Sequence, residues 1–232
     1  TAGNWKDELW LVAGGIFGGS LYFFTENTAL GITQASNVSF IICTAPLLTT
    51  ILSLLFYKSE KASKGLIYGS LLALMGVGLI VFNGSFVLKI SPIGDLLTLL
   101  AALSWAFYSL IIKKMAGRYP TVFITRKIFF YGVLTILPAF LLHPLQPDTA
   151  VLLQPGVLFN LLFLAVLASL ICYVLWNVVL KQLGTVRASN YIYLNPLVTM
   201  IASSLILDEK ITLVALGGAA CIVCGVYWAE KK

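Results

Sequence analysis

The chain has 232 residues, of which 59% are apolar and only 10% are charged. Soluble domains carry roughly 45–50% apolar and about 25% charged residues, because their surface must be polar, so this composition excludes a soluble globular protein. The net charge of +6 does not indicate a nucleic-acid partner, since the basic residues form short clusters between apolar runs, as they do in membrane proteins.

Eight apolar segments follow one another along the chain, each close to the roughly 20 residues that cross a bilayer as a helix. Runs such as 96–103 lack the strict alternation of a membrane β-strand. The predicted spans are residues 9–30, 37–57, 65–83, 93–114, 121–142, 155–180, 188–207 and 211–229. We therefore predict an all-α membrane protein with eight transmembrane helices.

Lysine and arginine are distributed unevenly between the loops that connect these spans. If the N-terminus lies inside and the chain crosses at every span, only Lys89 and Lys210 fall in outer loops. Eleven cations fall inside: Lys6, Lys58, Lys61, Lys64, Lys113, Lys114, Arg118, Lys181, Arg187, Lys231 and Lys232. Because cytoplasmic loops carry the excess of Lys and Arg, both termini are predicted to face the cytoplasm.

The first predicted span carries Glu26, followed by Asn27, within an otherwise apolar helix. Ionisable groups within spans are rare and usually face a cavity or a partner, so both residues are candidates for contact with a solute. Tyr22, one turn earlier, can hydrogen-bond the carboxyl, and Glu26 is the group that we expect to exchange protons. Since Glu26 lies near the predicted outer end, full solvation and capping of a neighbouring helix are the alternatives.

Two prolines occupy matching positions near the middle of the second and seventh spans. Proline removes a backbone donor and clashes with a carbonyl one turn back, so Pro46 and Pro196 predict interrupted helices. Matched interruptions at mid-depth indicate a binding site between two repeats. Kinks that only shape the helix bundle are the alternative interpretation.

Polar and aromatic side chains near these positions complete the candidate site. Such groups cost free energy at membrane depth unless they are hydrogen-bonded. They can therefore bind a solute or hold neighbouring helices together, and the sequence leaves both roles open. The residues are Asn190, Tyr191, Tyr193 and Asn195 around Pro196, with Trp105 and Tyr108 on adjacent turns of the fourth span.

The two halves of the chain share a spacing of glycines. Gly69 and Gly76 follow Glu60 by nine and sixteen residues, and Gly218 and Gly225 follow Glu209 by the same intervals. Glycines seven residues apart lie on one helix face, where they permit close helix contact in lipid. Spans one to three therefore pair with spans six to eight as an inverted repeat, an architecture of secondary transporters.

Further motifs reinforce this interpretation. One extends from Gly94-Asp95 through Ala101-Ala102 and Ser104-Trp105-Ala106 to Lys113-Lys114. Another comprises Leu183-Gly184, Arg187-Ala188-Ser189-Asn190-Tyr191 and Asn195-Pro196, and the third is the pair of segments from proline to glutamate. Together they resemble the EamA-type branch of the drug/metabolite transporter superfamily over nearly the whole chain.

The resemblance implies a ten-helix carrier built from two five-helix repeats, with a central cavity and both termini in the cytoplasm. Residues 1–90 then form an incomplete first repeat that lacks its first two helices, as expected of a fragment, and residues 91–232 form the second repeat. The implied function is export of a small metabolite, amino acid or drug-like solute from a cell enclosed by the bacterial inner membrane.

No cofactor and no enzymatic activity are expected. The only histidine, His143, falls in a proline-rich loop, and the paired Cys221 and Cys224 have no further metal ligands nearby. No G-x-x-x-x-G-K-[ST] motif is present for ATP, so a secondary carrier is favoured. An intramembrane enzyme and a non-transporting helical scaffold or receptor are the alternatives, and the oligomeric state stays open.

Overall fold

The computed structural model describes residues 3–57, 63–82, 91–142, 149–207 and 211–231, and every regular element within these ranges is a helix. The predicted all-α class is therefore confirmed for the described part of the chain. The following residues named above lie outside it: Lys58, Glu60, Lys61, Lys89, His143, Glu209, Lys210 and Lys232.

The helices follow the predicted spans closely. They are α1 (Trp5–Gly15), α2 (Leu21–Ile32), α3 (Ala35–Ile42), α4 (Ala45–Phe56), α5 (Lys64–Phe82), α6 (Pro92–Ala116), α7 (Thr121–Leu142), α8 (Thr149–Leu152), α9 (Pro155–Leu162), α10 (Cys172–Leu183), α11 (Thr185–Asn190), α12 (Asn195–Leu207) and α13 (Leu213–Glu230). A π-helical turn (Ile16–Ser20) joins α1 to α2, a longer π-helical stretch (Phe163–Ile171) joins α9 to α10, and a 3-10 turn (Tyr191–Leu194) joins α11 to α12.

Six helical stretches within the described ranges are long and apolar enough to cross a membrane. They are residues 35–56, 64–82, 92–116, 121–139, 155–183 and 213–230. The first and seventh predicted spans, α1–α2 and α11–α12, are helical but are not among these six. Both carry polar side chains of the candidate site. Because only six of the described stretches are long and apolar enough, the count of eight crossings stays a prediction.

The two prolines lie where the sequence predicts interruptions. α3 ends at Ile42 and α4 begins at Ala45, so Pro46 falls in the first turn of a new helix. Pro196 likewise falls in the first turn of α12, directly after the 3-10 turn. Proline is accommodated in a first turn because the backbone donor that it lacks would have no partner there. The matched interruptions are therefore present in both halves.

The repeated glycines bring α5 and α13 into direct backbone contact. A methyl group added at Gly69 would lie 2.4 Å from the carbonyl oxygen of Gly225, and one at Gly76 would lie 2.5 Å from that of Gly218. Only residues without side chains permit two helices to approach so closely. The predicted glycine contact is confirmed. It joins α5, in the third predicted span, to α13, in the eighth.

Two acidic side chains attach the first turn of α1 to the loop between α6 and α7 and to α7. Asp7 is buried and accepts hydrogen bonds from Arg118 at 2.6 Å and from the Tyr119 hydroxyl at 3.0 Å. Glu8 forms an ion pair with Lys127 at 2.5 Å. These contacts hold the end of the bundle at which Lys113 and Lys114 also lie.

Candidate functional site

A cavity of about 430 Å³ lies where the two interrupted segments meet the centre of α6. Its walls come from α2, from both sides of the α3–α4 break, from α6, from α10 and from the junction of α11 with α12. These elements belong to spans one, two, four, six and seven, so both halves of the chain build it. The lining residues are Tyr22, Ile42, Ala45, Ala102, Trp105, Trp176, Tyr191, Ile192 and Asn195.

Aromatic rings dominate one wall of this cavity. The Trp105 ring centroid lies 5.1 Å from that of Tyr22 and 5.8 Å from that of Trp176, and it also contacts Tyr108 and Tyr173 behind the wall. The buried indole N–H groups of Trp105 and Trp176 have no acceptor among the described residues. An aromatic wall of this kind can stack on a planar or apolar solute, and each indole can donate one hydrogen bond.

Glu26 does not line the cavity but is hydrogen-bonded to a residue that does. The Tyr22 hydroxyl, on the cavity wall, donates to the Glu26 carboxylate at 2.9 Å, which confirms the predicted contact between these side chains. Glu26 is half-buried, and none of the ion pairs in the described part of the chain involves it. Its carboxylate can therefore influence the cavity through Tyr22 rather than by lining it.

The structure distributes the other candidate residues between the cavity and its surroundings. Trp105, Tyr191 and Asn195 line the cavity. Asn27 is exposed, and its amide donates to the Phe23 carbonyl oxygen of its own helix at 2.8 Å. Asn190 and Tyr193 are fully buried beside the cavity and are not among its lining residues.

Tyr108 belongs to a buried polar network rather than to the cavity wall. Its hydroxyl donates to Asn177 at 2.8 Å, and the Asn177 amide donates to the Thr125 hydroxyl at 2.9 Å. The network links α6, α10 and α7 through side chains that are almost completely inaccessible to solvent. Such interhelical hydrogen bonds stabilise the arrangement of the helices that carry Trp105 and Trp176.

Sequence reasoning did not include Trp176 among the candidate residues, although it lines the cavity. A signal was nevertheless present, because Tyr173, Trp176, Asn177 and Leu180 recur at the three- and four-residue spacing of one helix face. Aromatic and amide side chains on one stripe of an apolar helix distinguish the face that contacts protein from the face that contacts lipid.

The π-helical turn between α1 and α2 has backbone carbonyl groups that accept hydrogen bonds from side chains of other helices. Ser104 donates to the Phe17 carbonyl oxygen at 2.8 Å, and Tyr173 donates to that of Gly18 at 2.7 Å. A methyl group at Gly18 would lie 2.3 Å from the Tyr108 ring, so glycine is required here. Single π-helical turns occur frequently at functional sites.

The contact between α4 and α11 borders a smaller cavity of about 310 Å³. The smaller cavity is lined by Thr50, Thr185, Arg187 and Lys231, among others, at the lysine-rich end of the bundle. Four side chains of α4 and α11 are fully buried and have polar atoms without a partner in the described part of the chain: Thr49, Thr185, Ser189 and Asn190.

Comparison with known proteins identifies the family. Residues 1–82 and 92–229 match the EamA-like transporter family. The chain belongs to this family. It is a multi-pass membrane protein, and the resemblance inferred from the sequence motifs is thereby confirmed.

Several EamA-like relatives are similar along most of the chain. An "Uncharacterized transporter" from Archaeoglobus fulgidus is 29% identical over 93% of this chain and 73% of its own length. A "Probable amino-acid metabolite efflux pump" from Salmonella typhimurium is 29% identical over 74% of this chain and 60% of its own length. A protein of the same name from Escherichia coli is 24% identical over 86% of this chain and 69% of its own length.

A solved structure shares the EamA-like fold of this chain. It aligns with a TM-score of 0.80 at 19% identity and covers 99% of this chain and 77% of its own. At this identity the likeness concerns the arrangement of helices alone. The family and its relatives support a transporter role for the protein.

Proposed function

We propose that this protein is a secondary transporter that exports a small metabolite, amino acid or drug-like solute by alternating access. The observation that carries the proposal is the cavity formed by Trp105, Trp176, Tyr191 and Asn195, where the interrupted segments of both halves meet. Discontinuous helices of paired repeats, meeting near mid-membrane, are a recurrent site of solute binding in carriers. The names of the Salmonella typhimurium and Escherichia coli relatives support an amino-acid metabolite as solute.

The chemistry of the wall supports a compact solute with an apolar or planar part and a hydrogen-bonding end. Among the described residues, the lining includes four aromatic side chains and the Asn195 amide but no Lys, Arg, Asp or Glu. A carboxylate or carbonyl oxygen of the solute is the kind of acceptor that the indole N–H groups of Trp105 and Trp176 lack. Stacking contributes affinity, and these donors contribute orientation.

Proton coupling is part of the proposal and is assigned to Glu26. The carboxyl lies behind Tyr22, which touches both it and the cavity. An ionisable group inside a span, without an ion-pair partner in the described part of the chain, can gain and lose a proton as access alternates between the two sides. Solute export would then be driven by the proton gradient across the bacterial inner membrane.

The contact between α4 and α11 is the proposed closure on the cytoplasmic side. Buried hydroxyl and amide groups without partners cost free energy in a dry contact, and water recovers that free energy when helices separate. A contact that opens and closes is therefore favoured here, rather than one that stays permanently packed, by the buried hydroxyl groups of Thr49, Thr185 and Ser189. Under this proposal, residues 1–90 and 91–232 are the two repeats that move, and both termini lie in the cytoplasm.

The decisive experiment is uptake of labelled neutral amino acids into sealed, inside-out proteoliposomes with an imposed pH gradient. We expect accumulation that a protonophore abolishes. Trp105→Ala should raise KM about three- to tenfold, the equivalent of one lost aromatic contact. Trp228→Ala, on the exposed face of α13, is the matched control and should leave KM unchanged. Solute binding without accumulation under any gradient would contradict a carrier and indicate a receptor.

A further inference from the structure

A third cavity, of about 610 Å³, opens at the surface of the bundle between α1, α4 and α6. It shares no lining residue with the cavity around Trp105. Its outer edge is exposed, since Phe56 is 65% and Trp10 is 38% accessible. In a multi-pass membrane protein such a groove is accessible to the bilayer rather than to solutes that enter from water.

The floor of this groove is built from aromatic side chains. The Phe107 ring lies 5.2 Å from Phe17 and 6.4 Å from Phe56, and the small side chain of Ala13 leaves the space above them open. From Phe107 to Lys114 the groove follows two turns of α6, or roughly 10 Å. One leaflet offers about 15 Å of hydrocarbon, so the groove accommodates much of one acyl chain.

One end of the groove is cationic. The Lys114 ammonium lies 3.7 Å from the Trp10 ring centroid, and the Lys113 ammonium lies 4.2 Å from that of Tyr57. Both rings line the groove. An apolar channel that ends at the Lys114 ammonium matches the chemistry of an acidic phospholipid, with its acyl chain and its phosphate.

We propose that this groove binds one acidic phospholipid, with an acyl chain along Phe17 and Phe107 and the phosphate at Lys114. A neutral phospholipid fits the apolar part equally well but leaves its positive headgroup beside this lysine. The site therefore selects lipid by charge, and the predicted orientation places it in the leaflet where anionic lipids create a negative surface potential. The proposal is independent of the transported solute.

The test is native mass spectrometry of the purified protein, titrated with phosphatidylglycerol or with phosphatidylcholine of the same acyl chains. We expect one tightly retained phosphatidylglycerol and a preference over phosphatidylcholine of about tenfold. Lys114→Gln should weaken phosphatidylglycerol binding about fivefold, the effect of one lysine near an anionic surface. Lys181→Gln removes an exposed lysine from α10 and should change nothing.

Ala13→Phe fills the groove while Lys114 remains, and it should lower the retention of both lipids. Equal losses in Lys114→Gln and Lys181→Gln would show a diffuse surface attraction and overturn the proposal. Unchanged retention in both Lys114→Gln and Ala13→Phe would overturn it as well. If Ala13→Phe does not fold, as judged by thermal unfolding, Ala13→Leu provides the same test with a smaller side chain.

Discussion

Trp105 is the residue through which the cavity communicates with the interior of the bundle. One side of its ring contacts Tyr22 on the wall, and the other contacts Tyr108 and Tyr173 in the buried network. Tyr108 in turn is fixed by Asn177. A substitution on the cavity wall can therefore also disturb the packing against α10. For this reason solute affinity and protein stability are measured separately for the wall and for the buried network.

Asn195 supplies the only side-chain amide on the described cavity wall. Asn195→Ala removes one hydrogen bond to a polar solute, so we expect KM for transport to rise about two- to tenfold, the equivalent of 0.5–1.5 kcal/mol. Asn27→Ala is the control, because the Asn27 amide is exposed and bonded to its own helix. A rise in KM for Asn27→Ala that matched the Asn195 variant would argue against recognition at the wall.

Tyr108 is predicted to matter for stability more than for solute affinity. Tyr108→Phe leaves the buried Asn177 oxygen without its donor, and we expect a loss of roughly 0.6–2 kcal/mol in the free energy of unfolding. The measurement is thermal or denaturant unfolding in detergent, with Tyr227→Phe on the exposed face of α13 as control. An unchanged stability together with a raised KM would place Tyr108 in direct contact with the solute instead.

Glu26 is predicted to carry the proton dependence of transport. Glu26→Gln cannot exchange a proton, so solute accumulation should no longer respond to a pH gradient, while exchange of solute across the membrane continues. Tyr22→Phe removes the hydrogen bond to the carboxyl but keeps the titratable group, and it should retain gradient-driven accumulation. Wild-type accumulation by Glu26→Gln across a pH series would remove Glu26 from the coupling mechanism.

At the scale of elements, the pairing of α5 with α13 is the tightest contact between the two halves. A methyl group at Gly225 would lie 2.5 Å from both the Ala73 nitrogen and the Gly69 carbonyl oxygen, so neither helix can yield without moving its backbone. This pairing holds α5 and α13 firmly together. Motion between the two proposed repeats is therefore expected elsewhere, at the interruptions before Pro46 and Pro196.

The glycine contact gives a sharp test on one helix. Gly225→Ala should destabilise the protein by about 1–3 kcal/mol, since overpacking forces the backbones apart. Gly217→Ala, eight residues earlier in α13, has no atom within 4 Å of the added methyl group and should be neutral or slightly stabilising. Equal unfolding midpoints for the two variants would mean that the close approach of α5 and α13 is not maintained in the membrane.

At the scale of the whole molecule, the arrangement of charge predicts its orientation. Ser63 precedes α5 and Ser91 precedes α6, and the proposed topology puts them on opposite sides of the bilayer. With the four native cysteines replaced by alanine, Ser63→Cys should react with an impermeant thiol reagent from the cytoplasmic side and Ser91→Cys from the other. Labelling of both from one side would refute the proposed topology and the inverted repeat.

The sequence by itself determined the properties that depend on local composition and spacing. Apolar runs of membrane-spanning length predict helices wherever they occur, and the glycines at seven-residue intervals predict a close helix contact because spacing alone puts them on one face. The two prolines predict the interruptions because each lacks a backbone donor and clashes with a carbonyl one turn back. Short motifs also indicated the family, because each motif is a local pattern that can be recognised in the sequence without the tertiary structure.

Only the tertiary structure decided which side chains meet at the cavity. Trp105 and Tyr108 are three residues apart, yet one lines the cavity and the other is buried against Asn177. Trp176 joins Trp105 across 71 residues of sequence, and Asn27 faces outward although its neighbour Glu26 reaches Tyr22. In a chain that is apolar on all sides, hydrophobicity does not distinguish the face toward protein from the face toward lipid. The rotation of each helix is set by contacts between helices, and those contacts are made by residues far apart in the sequence.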